Sequence, residues 1–154
     1  RAKVLALIEE GVAVEGPVHA HRLARKVDNA FGLVRVTQPR IDAILQAGRL
    51  RPDEHGFLWP PGLTAQSWTL HRPDPTQDRP VEHISPHELA NALHEVALAS
   101  GGITPEELKK VTSELFGFRR LTAGVGEALD AALTLALQTG RLRWENELLR
   151  GQSG

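Results

Sequence analysis

Apolar positions recur at helical spacing in three stretches of the second half of the chain. The first stretch opens at Ser85-Pro86-His87-Glu88, where Ser85 is the expected N-cap and Glu88 completes a capping box. The second opens at Thr104-Pro105, and the third runs from about Thr122 to Thr139. Apolar and polar residues then alternate in 141–144 and 147–150, which predicts a short β-hairpin.

The first half of the chain shows the same order of helices. A helix within 1–11 comes first, and a second runs from Ala20 to Ala30 with His19 as its expected N-cap. A third runs from about Thr37 to Ala47, and it is roughly seven residues shorter than its counterpart in the second half. Both halves are therefore expected to hold three helices of similar spacing.

A hairpin is expected after the third helix of the first half as well. Its strands are Arg49-Leu50-Arg51 and Phe57-Leu58-Trp59, with the turn between them. Val18, and Ile103 in the second half, are each expected to form a short strand that pairs with the hairpin. Three helices followed by a hairpin is the order of a winged helix, in which the second and third helices form a helix-turn-helix.

Matching residues in the two halves indicate an internal repeat. Ala30-Phe31-Gly32-Leu33 aligns with Leu115-Phe116-Gly117-Phe118 at an offset of 85, and Gly48-Arg49-Leu50-Arg51 aligns with Gly140-Arg141-Leu142-Arg143 at an offset of 92. We therefore predict an α+β, mainly α fold that is a tandem winged helix, with two helix-turn-helix plus β-hairpin wing repeats. The predicted domains are repeat 1 at 1–59, a proline-rich connector at 60–84 and repeat 2 at 85–150.

Prolines dominate the middle of the chain. Six of the ten prolines lie within 60–86, and no helix tolerates that density because each proline removes a backbone donor. The segment 60–84 is therefore expected to be extended. Two interpretations are open: the segment packs on a domain surface through its apolar side chains, or it is a loose linker. The apolar side chains are those of Trp68, Leu70, Val81 and Ile84.

Composition and charge narrow the possible functions. The 154 residues include no cysteine, which excludes disulfides, thiolate metal sites and cysteine nucleophiles. The net charge is −1, but residues 1–80 carry +2 (11 basic, 9 acidic) and residues 81–154 carry −3 (7 basic, 10 acidic). No nucleophile motif, metal-ligand spacing or membrane-spanning run is present, so we expect no catalytic residues, no metal, no cofactor and a cytoplasmic location. The start at Arg1 and the absence of Met indicate a piece of a longer protein.

Several short motifs resemble a known family. The chain resembles, over about residues 4–150, an uncharacterised C-terminal domain of large bacterial proteins related to superfamily 1 DNA helicases, which also carry a Vsr-like endonuclease domain. The resemblance implies a tandem winged helix in DNA processing or defence, with the helicase and nuclease domains of the parent chain as partners. The motifs that carry it are Gly16-Pro17-Val18-His19, Ala30-Phe31-Gly32-Leu33, Gly48-Arg49-Leu50, Phe57-Leu58-Trp59-Pro60 and Ile84-Ser85-Pro86-His87-Glu88-Leu89-Ala90.

The first half holds the better candidate for DNA contact. A recognition helix presents polar donors opposite its apolar stripe, and basic residues on the wing contact phosphate. The same residues also fit an ordinary solvated helix face. We predict an accessory, non-catalytic module that binds or positions DNA weakly through Arg35, Gln38, Arg40, Arg49 and Arg51.

The third helix of the second half suggests an alternative function. It carries no Lys or Arg between Thr122 and Thr139, and its charges are Glu127 and Asp130, which phosphate would repel. Its wide apolar coverage indicates burial on more than one side. The alternative is therefore a protein–protein interaction module, for domain docking or dimerisation, with no nucleic-acid contact.

Overall fold

A computed structural model describes residues 2–33 and 35–153. The chain forms two compact units, unit 1 (Arg1–Ser67) and unit 2 (Trp68–Gly154). The proline-rich segment is divided between them, because residues 68–84 belong to unit 2. Among the described residues, no helix combines the length and the apolar character that crossing a bilayer requires.

Unit 1 contains three helices and a two-stranded antiparallel sheet. Its core is aliphatic and lies between the helices, with Ile8, Leu23 and Ile44 among its buried residues. The strands pair Val18 with Leu58, as expected for the short strand at Val18. In chain order the elements are α1 (Ala2–Glu15), β1 (Val18–His19), α2 (Ala20–Ala30), α3 (Gln38–Ala47) and β2 (Phe57–Leu58).

The hairpin predicted for the first half does not form. Phe57–Leu58 pairs with β1, and Arg49-Leu50-Arg51 is not a strand. Arg49 has a φ of 53°, which no strand residue adopts. The Asp53 carboxylate accepts the amide N–H groups of His55 (2.8 Å) and Phe57 (3.0 Å), so side-chain bonds hold this loop. The prediction was wrong because the amides of Arg49 and Leu50 close the end of α3 instead, donating to the carbonyls of Gln46 (3.1 Å) and Leu45 (2.8 Å).

The described residues of unit 2 form three helices, a 3-10 turn at Val81–His83 and the predicted hairpin. Ile103 forms an isolated β-bridge with Leu149 at the edge of the hairpin, so the expected pairing is present but a strand is not. The hairpin reverses at Asn146, whose positive φ of 58° suits a tight turn. Its elements are α4 (Pro86–Ser100), α5 (Pro105–Leu115), α6 (Ala123–Gln138), β3 (Leu142–Glu145) and β4 (Leu148–Gly151).

The apolar coverage of α6 is explained within unit 2. Leu129 is fully buried, and Leu133, Leu135 and Leu137 pack, partly buried, against the core that α6 shares with α4 and α5. The N-cap Thr122 accepts the amide N–H of Val125, as expected for a helix that begins there. The apolar stripe of α6 therefore needs no second chain to cover it.

The segment 68–84 packs against the helices of unit 2, and we call it the fastened segment. Trp68, Val81 and Ile84 are buried, whereas Leu70 is 66% exposed, so three of the four expected apolar contacts form. The side-chain amide of Asn91 on α4 donates to the backbone carbonyls of Trp68 (3.1 Å) and Leu70 (2.9 Å). These bonds satisfy backbone groups of an extended chain that makes no ladder of its own.

Glu88 does not complete a capping box. The Ser85 hydroxyl accepts the amide N–H of His87, but the Glu88 carboxylate is fully buried and faces two arginines of the segment 68–84. Arg79 donates to both carboxylate oxygens, at 2.8 Å and 2.9 Å. Arg72 donates from its backbone (2.8 Å) and its guanidinium (3.2 Å). The prediction was wrong because two strong charged donors outcompete the helix amide for the carboxylate.

Candidate nucleic-acid interface

Helices α2 and α3 and the turn between them form the candidate interface in unit 1. Helix α2 begins at Ala20 because His19 acts as the N-cap, its ring Nδ1 accepting the amide N–H of His21 at 3.1 Å. Leu23 and Val27 fix α2 in the core, and Ile44 does the same for α3. The faces of both helices that oppose these residues are exposed. The sequence therefore builds two helices that are each anchored on one side and exposed to solvent on the other.

The charge of this region is positive, although Glu15 lies just before it and Asp53 and Glu54 lie just after it. Residues 16–52, which run from before α2 to beyond α3, carry seven Lys/Arg and two Asp/Glu, a difference of +5. One of the two acids, Asp28, is fully buried. Asp42 is then the single exposed acid in that range. Such an imbalance attracts polyanions even though the whole chain is near neutral.

Five arginines of this region are exposed, and four of them form no ion pair or side-chain hydrogen bond with any residue that the structure describes. By contrast, Arg22 and Lys26 both bind Glu15, at 3.1 Å and 3.2 Å. The unpaired guanidinium groups keep all their donors for an external anion. They belong to Arg25, Arg35, Arg49 and Arg51.

The unpaired arginines lie at both ends of α3. Arg35 precedes the helix, and Arg49 and Arg51 follow it. Exposed guanidinium groups therefore flank α3 in sequence on both sides.

Two of the predicted residues are engaged inside the protein. Arg40 donates from Nη2 to Oδ1 of the buried Asp28 at 2.6 Å, and this hydrogen bond and the charge of Asp28 raise the pKa of Arg40. Gln38 donates its side-chain amide to Asp42 at 2.9 Å, one turn along the same helix. Arg40 and Gln38 are therefore partly occupied by contacts within unit 1, whereas Arg35, Arg49 and Arg51 remain available.

Arg25 is a further unpaired cation that was not among the residues predicted from the sequence. Its signal was present, because Arg25 lies between the buried Ala24 and the exposed Lys26 on the outer side of α2. A helical projection of α2 from its buried residues would have placed it on the solvent face. We add Arg25 to the candidate set.

Unit 2 offers fewer free cations. Arg72 and Arg79 bind Glu88, and Arg143 and Arg150 both bind Glu145 at 2.8 Å and 2.9 Å. The unit carries nine Lys/Arg against twelve Asp/Glu. Lys110, Arg119 and Arg120 are exposed. Its net charge of −3 makes it the poorer partner for DNA.

Comparisons with known proteins found one match, which covers the N-terminal part of the chain. A family model described as "Protein of unknown function (DUF3320)" matches residues 1–42, which run from the start of the chain into α3. No curated protein and no solved structure is significantly similar to the chain. The N-terminal part of unit 1 is thus similar to an uncharacterised domain, whose description names no activity.

Proposed function

We propose that the chain is an accessory, non-catalytic module of a DNA-processing protein and that unit 1 binds duplex DNA weakly and without sequence preference. In this proposal each unit is a variant winged helix, and α2 and α3 are the helix-turn-helix of unit 1. The observation that carries the proposal is the charge of residues 16–52, with one exposed, unpaired arginine on α2 and three beside α3. Contacts of this kind go to phosphate and fix position more than sequence.

Salt dependence tests the proposal directly. Neutralising four phosphates gives a plot of log affinity against log salt with a slope of about −3.6 for duplex DNA. The measurement is fluorescence anisotropy with labelled duplexes of two unrelated sequences, between about 50 and 200 mM salt. We expect equal affinity for both sequences and a steep loss of binding as salt rises. A chain that binds no duplex at the lowest salt does not have this function.

A matched pair of variants locates the interface. Arg49→Ala/Arg51→Ala removes two unpaired cations beside α3, so the salt slope is expected to fall in magnitude by about 2. Lys3→Ala/Lys110→Ala removes two exposed cations elsewhere and keeps the same net charge as the first variant. The control should leave the slope unchanged. An equal fall of the salt slope in the two variants would show that binding depends on net charge alone. It would contradict the assignment of the DNA contacts to the arginines beside α3.

A further inference from the structure

Phe31 lies at the turn between α2 and α3, inside the region that we propose to bind DNA. The Phe31 amide donates to the Asp28 carbonyl at 3.0 Å, and the Leu33 amide donates to the same carbonyl at 2.9 Å. Gly32 between them has the positive φ of 76° that closes such a turn. The backbone of the turn is therefore fixed by its own hydrogen bonds.

The same turn follows α5, and there the aromatic ring belongs to the core. Phe116 ends α5 and is fully buried, with the Arg79 guanidinium 5.9 Å from the centre of its ring. Gly117 follows with a φ of 79°. A Cβ placed on Gly117 would lie 2.5 Å from the Asp74 carbonyl oxygen and 2.8 Å from the Gln77 nitrogen, so a neighbouring backbone turn packs closely on the glycine. In unit 2 this turn is thus an internal contact.

In unit 1 the ring has no such structural role. Phe31 is 47% exposed and is not part of the apolar core of that unit. Leu33 is 44% exposed, and a Cβ placed on Gly32 would meet no atom of the described residues within 4 Å. An aromatic ring that the core does not use offers a flat apolar face to an external ligand.

Unpaired cations lie on both sides of this ring along the chain. Arg25 on α2 and Arg35 before α3 are exposed, and neither forms an ion pair or side-chain hydrogen bond with a residue that the structure describes. Lys26 and Arg40 are already paired and are not counted here. The single acid within residues 16–41 is Asp28, which is fully buried. The electrostatic field around the ring therefore favours an anionic ligand.

We propose that Phe31 stacks on an unpaired base, so that unit 1 prefers DNA in which a single strand continues from the duplex over blunt duplex. The inference rests on the proposed function and names the form of DNA that fits the same region. A nucleotide combines an anionic phosphate with a flat apolar base, which are the two chemical features that the arginines and the exposed ring can bind. Aromatic side chains beside cations bind single strands in this way, without sequence preference, because every base has a π-face.

The test compares the affinity of the chain for three forms of DNA by fluorescence anisotropy at low salt. The first is a blunt duplex, the second carries a single-stranded thymidine tail, and the third carries an abasic tail of the same length. The two tails have the same number of phosphates, so the difference between them measures the contribution of the bases. We expect the thymidine tail to bind about fivefold more tightly than the abasic tail, or better.

Three variants locate the contact at the ring. Phe31→Ala should abolish the difference between the two tails and leave the affinity for the blunt duplex unchanged. Phe31→Trp should retain the difference, because an indole ring also stacks on bases. Both variants should keep the circular dichroism spectrum of the natural chain, since Phe31 lies outside the core. The matched control is Val14→Ala, which alters a 70% exposed apolar side chain of α1 and should change none of the three affinities.

Failure of this inference can be distinguished from failure of the proposed function. Equal affinity of the natural chain for the two tails overturns the inference, and binding of the blunt duplex then still supports the proposed function. A preference for the thymidine tail that Phe31→Ala retains also overturns the inference, because another side chain would then contact the base. Absence of binding to the blunt duplex contradicts the proposed function instead, and the comparison of the tails still decides the role of Phe31.

Discussion

Replacement of Glu88 by Gln is expected to destabilise unit 2 by about 3–5 kcal/mol. Each carboxylate oxygen accepts two hydrogen bonds, one from Arg79 and one from Arg72. In glutamine one oxygen becomes an NH2 group, so two donors would face a donor whichever way the amide is turned. Two lost hydrogen bonds to a charged group cost about 1.5–3 kcal/mol each, and removal of one partner of a buried ion pair typically costs 3–5 kcal/mol.

Urea unfolding followed by tryptophan fluorescence measures this effect. Trp68 is buried in the fastened segment and reports on unit 2, provided that Trp59 and Trp144 are first replaced by phenylalanine. With a slope of about 2 kcal/mol per molar urea, the midpoint should fall by about 1.5–2.5 M. The matched control is Glu114→Gln on α5, an exposed position where the change should stay within about 0.5 kcal/mol. A loss below about 1 kcal/mol for Glu88→Gln would refute the reasoning, because the carboxylate would then not hold the segment in place.

Further expectations follow from the same contacts. Burial alone raises the pKa of Glu88, but its hydrogen bonds and ion pairs with arginine outweigh burial and lower it. The difference in unfolding free energy between the natural chain and Glu88→Gln should therefore shrink as pH falls below about 4.3. Urea titrations at several pH values measure this difference. Gly117→Ala should lower the unfolding midpoint more than Gly32→Ala does. Both variants strain a positive φ by about 1–2 kcal/mol, but only the Cβ added at Gly117 would clash with backbone atoms. Equal falls of the midpoint relative to the natural chain would contradict the close packing at Gly117. Arg40→Ala should lower the thermal unfolding temperature of unit 1, because the buried Asp28 loses its counter-ion. Arg40→Lys should restore part of this loss. An unchanged unfolding temperature in Arg40→Ala would show that the ion pair does not stabilise unit 1.

The helices could be predicted because their signals are local. Ser85, Thr104 and Thr122 each cap the helix that the sequence assigns to them, and the structure places α2 at the predicted bounds. Caps and apolar spacing act within a few residues, so a single sequence is sufficient to read them. The hairpin at β3 and β4 was found for the same reason.

The remaining features depend on contacts between distant residues. Glu88 reads as a capping residue until Arg72 and Arg79, far away in a proline-rich segment, are brought to it. Arg40 reads as a groove residue until Asp28 is found within 2.6 Å of it. Neither partner carries a pattern of its own, since charged residues in loops are normally solvated. Charge alone therefore selects a candidate interface in unit 1, but its unpaired and paired cations could be told apart only in three dimensions.

The fastened segment decides where unit 2 can be cut. A recombinant fragment that begins at Ser85, the natural choice from the helix cap, would leave Glu88 buried without a counter-ion and would uncover Phe116 and Phe118. Such a fragment would expose a new apolar patch and would tend to aggregate. A fragment that begins at Trp68 keeps residues 68–84 and the ion pairs of Glu88 with Arg72 and Arg79. A stretch with the composition of a linker is thus part of the smallest piece of unit 2 that is expected to fold by itself.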